Sequence, residues 1–191
     1  MNMNALKRGW MAALAAGVMT AGIAPGAQGT GITFKATASV KAPGKSASVP
    51  VTIRIDRFIS EADRDKVVAA VKAQTPGEPQ KTLATLPTLG YIEVVEKRTP
   101  LKYAYARSTG SGRLITVVTA QAIYYIGGSE KDAKPKEGYD LALALLVLDG
   151  NDTGDGELAP AVKIKLDAAG AVVTDDYGRE VVRLTKIAKV K

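Results

Sequence analysis

The chain of 191 residues contains no cysteine and no histidine, and only one tryptophan. These absences remove much of enzyme chemistry. Without histidine or cysteine there is no Ser-His-Asp or Cys-His nucleophile, no His-Glu-x-x-His protease and no ordinary zinc site. No Ser-x-x-Lys occurs, which argues against the penicillin-binding type of serine acylase. Disulfides are excluded, and so is a lipidated cysteine anchor. What survives is a carboxylate pair, as in glycoside hydrolysis, or acid–base work by lysine or tyrosine. The 19 acidic residues single out no such pair. Asp56 and Glu93, on predicted strands, are the least loop-like, and both read as outward-facing strand residues.

Long hydrophobic runs are also missing. The longest charge-free one, Trp10–Ile23, is too short to cross a bilayer, which takes about 20 residues. Its context gives it another meaning. Lys7 and Arg8 precede it, and Ala24–Gly29, "APGAQG", ends it with small residues and Pro25. Positive, apolar and small segments in that order form a secretory signal peptide. We expect residues 1–29 to be that peptide, with cleavage after Gly29 or Gly26. Residues 30–191 then form a single exported β-rich domain, periplasmic or extracellular, with no transmembrane segment. Of the net charge of +7, Lys7 and Arg8 supply two. The remaining excess is interspersed with acids, so it serves solubility and argues against nucleic acid as a partner.

Within that domain, period-two alternation dominates. Phe34, Ala36, Ala38 and Val40 share one side of a strand. Val49, Val51, Ile53 and Ile55 share a side of the next. Leu101, Tyr103, Tyr105 and Arg107 alternate likewise, as do Val162, Ile164 and Leu166. Such runs are half-buried strands. Leu114–Ile126 and Leu141–Leu148 are apolar throughout and read as strands covered on both faces. Turn clusters at "APGK", "STGSG", "DGNDTGDG", "DAAG" and "DDYG" separate the runs at short intervals. Gly127–Gly138 reads as a long polar loop. The expectation is a mainly β (α+β) domain, an antiparallel meander-like sheet forming a sandwich or barrel. A helical excursion near residues 60–86 breaks it. Ser60 caps a helix with acids in its first turn, Val67, Val68 and Val71 give it an apolar stripe, and Pro76-Gly77 stops it. A second helix falls near Gln80–Leu86, and about six strands follow.

Three stretches invite over-reading. "SVKAPGKS" (Ser39–Ser46) lacks only the first glycine of a P-loop, but Val49–Ile55 alternates as a strand. No helix N-terminus is left to cradle phosphates. We therefore expect no nucleotide. "DGNDTGDGELAP" places Asp149, Asn151, Thr153 and Glu157 at calcium-loop spacing. Pro160 stands where the bidentate glutamate belongs, so the stretch reads as a hairpin turn and no metal or other cofactor is expected. "STGSGR" has two glycines of a dinucleotide fingerprint and no following helix.

One constellation could bind something. Tyr103, Tyr105 and Arg107 share a strand face, with Tyr124-Tyr125 expected on the following strand. Aromatic rings beside a guanidinium grip a glycan or an anionic polymer on an open sheet. The competing and preferred expectation is a row of tyrosines at the sheet boundary, apolar body inward and hydroxyl to water. "RTPLKYAYAR", "GYDLALALL" and "GELAPAVK" resemble exported bacterial hypothetical proteins of unassigned function, a resemblance that implies no site residues. The expected function is a non-catalytic exported binding or envelope-associated structural module. The alternative is a small carboxylate-dependent hydrolase, for example one acting on glycans.

Overall fold

The computed structural model describes residues 31–42, 45–124 and 136–191. The expected signal peptide, Pro43-Gly44, Tyr125 and most of the polar loop after Ile126 lie outside them. The architecture is a closed antiparallel barrel of 8 strands with two helices packed on its outer wall.

The alternating runs form strands as read. β1 (Ile32–Ala42) and β2 (Lys45–Ile55) pair from Ile32↔Ile55 to Ala42↔Lys45. The stretch that resembles a P-loop is thus left by a strand. The chain then makes α1 (Glu61–Lys72) and α2 (Glu78–Thr85) before β3 (Gly90–Val94). Ser60 caps α1 by accepting a hydrogen bond from the Asp63 amide at 3.2 Å. Gly77, at φ +75°, turns the chain into α2. Lys102 donates to the Leu86 carbonyl at the end of α2, a cation where the helix dipole favours one. β4 (Lys97–Thr109), β5 (Gly112–Thr119), β6 (Leu141–Asp149) and β7 (Thr153–Leu166) continue the meander. β8 (Val172–Tyr177) and β9 (Val182–Lys189) complete the chain, so seven strands follow the helices. β9 pairs with both β7 and β1, which closes the ring.

The closed ring makes two cores. Inside it, Phe34, Ile53, Ile92, Ile115, Leu146 and Leu184 are fully or almost fully buried, with small residues such as Ala38, Ala104 and Ala144 between them. An eight-stranded barrel is just wide enough to be filled by its own side chains. Outside it, α1 and α2 bury Val67, Val71 and Leu83 against Tyr103, Val118 and Leu143. At one mouth, Arg113 of β5 stands over the Phe34 ring and pairs with Asp152 at 2.8 Å; Lys189 reaches the same carboxylate. At the other, Ile123 is fully buried, its amide bonded to the Pro160 carbonyl.

Two expectations need correction. Leu114–Ile126 is not one strand. β5 stops at Thr119, whose hydroxyl bonds the Gln121 and Ala142 carbonyls and turns the chain. The apolar run continues because Ile123 plugs the barrel, so Tyr124 lies beyond the strand rather than on it. Nor do Leu101 and Tyr103 share a face. A β-bulge at Lys102 shifts the register, sending Leu101 into the barrel and Tyr103 to the outer layer.

β7 also serves two structures. Its first half is barrel wall. A register shift opposite Leu141/Leu143 bends it near Pro160. Its second half leaves the ring with β8 as a hairpin laid across the outer face. The hairpin turn reaches β4, where Arg107 pairs with Asp167 at 2.7 Å, and α1, where Arg64 donates to the Gly170 carbonyl at 2.9 Å.

Candidate functional site

Tyr103, Tyr105 and Arg107 do share the outer face of β4, but that face is covered. Tyr103 is fully buried in the cluster that holds Val67, Val71 and Val172. Burial pushes its hydroxyl pKa up, with the nearby Arg64 charge acting against the shift. The hydroxyl lies near the Arg64 guanidinium and the Val172 amide but makes no well-formed hydrogen bond, and the buried Nε of Arg64 makes none either. Tyr105 is half-buried beneath the Arg64 guanidinium, 4.8 Å from its ring centroid, and its ring lies 6.3 Å from that of Tyr103. Arg107 is spent on Asp167. Backbone amides of Ala171 and Ala169, together with Arg107, hold that carboxylate below its usual range, the Ala171 bond being the largest cause. The three residues are therefore a stitch joining β4, α1 and the β7–β8 turn. Tyr124 lies apart, stacked under Arg179 at 5.2 Å.

The other singled-out residues are engaged locally. Asp149 accepts from the amides of Asn151 and Thr153 and from the Thr153 hydroxyl, each at 2.9 Å. Both of its oxygens are used by its own turn, and these bonds lower its pKa. Asp56 follows β2 and pairs with Arg54 at 2.7 Å. Glu93 faces outward on β3 and pairs with Arg98, which also lies over the Tyr91 ring. Among the described residues no three acids gather into a group that could hold a metal ion.

A concave feature lies elsewhere, where the β7–β8 hairpin crosses the barrel wall. Two adjoining pockets of about 180 and 500 Å³ share Leu145 and Glu157 and form one open groove. Leu145 and Val147 of β6 make its floor, beside Asp155 and Glu157 of β7. Val172, Val173, Thr174 and Tyr177 of β8 line one side, and Val181 and Arg183 line the far end. Val147 is 53% exposed and Tyr177 46% exposed. Among the described residues only four large apolar side chains stand so far in water, and the groove holds two of them. Sheet geometry explains the position. Outward residues of β6 and β7 are covered by the helices and hairpin near Leu143 and Ala159, and the cover ends before Val147.

The acids in the groove come from alternation along β7, where Gly154 and Gly156 take the inward places. A Cβ at either glycine would run into the Val147 or Leu145 carbonyl, so only glycine lets these strands close up here. Asp155 lies 3.6 Å from Arg183, and Glu157 stands opposite Arg183 in register. Sequence reasoning missed this site because it depends on which part of an outer face the hairpin leaves bare. The local signal was apolar Leu145 and Val147 on outward positions, but the run Leu141–Leu148 reads as covered on both faces, which the exposed Val147 corrects.

Fold and groove together define a small closed β-barrel with an external apolar cleft. No family model, curated protein or solved structure matches the chain.

Proposed function

We propose that the protein is a non-catalytic exported binding module that holds its ligand in the groove over β6 and β7. The observation that carries this reading is the exposed apolar surface of floor and wall. Leaving Val147 and Tyr177 in water costs about 25 cal/mol per Å² of apolar area, which a bound ligand recovers. The acids around that floor point away from an anionic polymer as the ligand. The exported location rests on the order of residues Lys7-Arg8, Trp10–Ile23 and Ala24–Gly29, and N-terminal sequencing of the secreted or periplasmic form tests it. Nile red titration tests the groove. We expect saturable fluorescence enhancement that Val147→Lys abolishes without moving the melting midpoint. Enhancement unaffected by that substitution would place the apolar surface elsewhere.

A carboxylate hydrolase is favoured by one feature alone. Asp155 and Glu157 alternate on one strand face inside the groove, which spaces them by about 6.6 Å along the strand. Glycosidase carboxyl pairs stand about 5–10 Å apart. Hydrolysis of a polysaccharide panel, lost in both Asp155→Asn and Glu157→Gln, would establish this second reading.

A further inference from the structure

The geometry points to an extended polypeptide as the occupant of this groove, added as a strand along β8; this rests on the groove reading above. β8 pairs with β7 along one edge, and no strand among the described residues pairs with the other. Val173 and Thr174 are consecutive and half-buried, and both line the groove above the fully buried Val172. Successive strand residues point to opposite faces, so a cleft bordered by two in succession reaches past one face to the edge of the strand. The groove therefore has an apolar floor and, for one wall, a row of alternate backbone N–H and C=O groups with no strand to pair them. An acyl chain could cover the floor but has no donors or acceptors for that row, and a sugar's hydroxyls do not alternate at the spacing of a strand. An extended peptide does both: its backbone completes the ladder, and every second side chain drops onto Leu145 and Val147.

Charge narrows the class further. The charged side chains bordering the groove are Asp155, Glu157 and Arg183, two acids to one base. β8 itself carries Asp175 and Asp176, already engaged with Lys165 and with the Tyr139 hydroxyl. A segment that alternates apolar with basic residues complements this surface. A second copy of the chain does not, because two β8 edges paired antiparallel would bring their aspartates together.

The probe is a capped synthetic hexapeptide alternating valine and lysine, added to the full chain. Binding is read by fluorescence anisotropy and by amide hydrogen exchange at Val172–Tyr177. We expect saturable binding with exchange slowed about tenfold or more in β8. The valine–glutamate peptide should bind about tenfold more weakly, and Glu157→Lys should reverse that preference. N-methylation of alternate peptide amides should abolish binding, since it removes the donors of a ladder. Binding that survives N-methylation, or leaves β8 exchange unchanged, would overturn strand addition. So would failure of every peptide while Nile red still binds, and in both cases the groove itself stands. Failure of Nile red as well would remove the groove reading. Concentration-dependent dimerisation that occupies the groove would replace the peptide with a second copy.

Discussion

Tyr103 and Tyr105 are two positions apart, and the cost of losing each depends on what lies above it. Tyr103→Ala empties a fully buried site and should cost about 3–5 kcal/mol in urea unfolding. Tyr103→Phe keeps the packing and removes a buried hydroxyl whose contacts with Arg64 and the Val172 amide are poorly formed, so it should be nearly neutral. The same pair reports on alkali. Burial raises the Tyr103 pKa above its ordinary value near 10, so its contribution is intact below about pH 10 and lost as pH rises from there towards the folded value. Tyr103→Phe should therefore move the alkaline midpoint upward. The acid side has the opposite sign. Asp167, Asp176 and Asp149 all have lowered pKa values, from the Ala171 amide, the Tyr139 hydroxyl and the Thr153 amide first. Their contribution is present above the ordinary carboxylate range and lost as pH falls through the folded values. Thermal midpoints should hold down to about pH 5 and drop below about pH 4, less steeply in Asp167→Asn and Asp176→Asn. Calcium at millimolar concentration should leave the midpoint unmoved, because the Asp149 oxygens are occupied by their own turn.

The elements that could be read from the sequence are those whose signals are local. Ser60, the acids after it and the Val67–Val71 stripe specify α1 by capping and periodicity. Ser60→Ala should accordingly cost about 1 kcal/mol and lower helix content only at that end. The inward series Val49, Val51, Ile53 and Ile55 was legible for the same reason, since alternation belongs to the strand alone. Three features were not. The bulge at Lys102 inverts the partnership of Leu101 and Tyr103, and no residue in "PLKYA" announces it. The stop at Thr119 is hidden because Ile123 is as apolar as a strand residue while serving as a plug. The covering of Tyr103, Tyr105 and Arg107 depends on α1 and on a hairpin turn some 60 residues away. Gly90 shows how a pairing requirement can sit in one residue. At φ +148° a side chain there would strike the Arg54 carbonyl, so Gly90→Ala should prevent β3 from pairing with β2 and abolish cooperative unfolding.

For the whole molecule, ring closure is the step that no segment can perform alone. β9 must find β1 across almost the full length of the chain, as in Ser39↔Arg183. Such non-local pairing folds slowly, on a scale of milliseconds to seconds, and we expect a single slow stopped-flow refolding phase. Removing β9 should leave an aggregating species rather than a smaller folded one, because it opens the edges of β1 and β7 together. The closing pair has a mechanical consequence as well. β1 begins where β9 ends: Phe34 stands opposite Lys189, and the Val190 amide bonds the Thr33 carbonyl. A load applied between Gly31 and Lys191 would pull two antiparallel neighbours apart from the same end, opening their bonds one after another like a zip. A load between Gly31 and Val182, at opposite ends of the paired strands β1 and β9, would instead have to shear their whole ladder at once. A domain of ordinary thermal stability should therefore yield at low force in the first geometry and resist in the second.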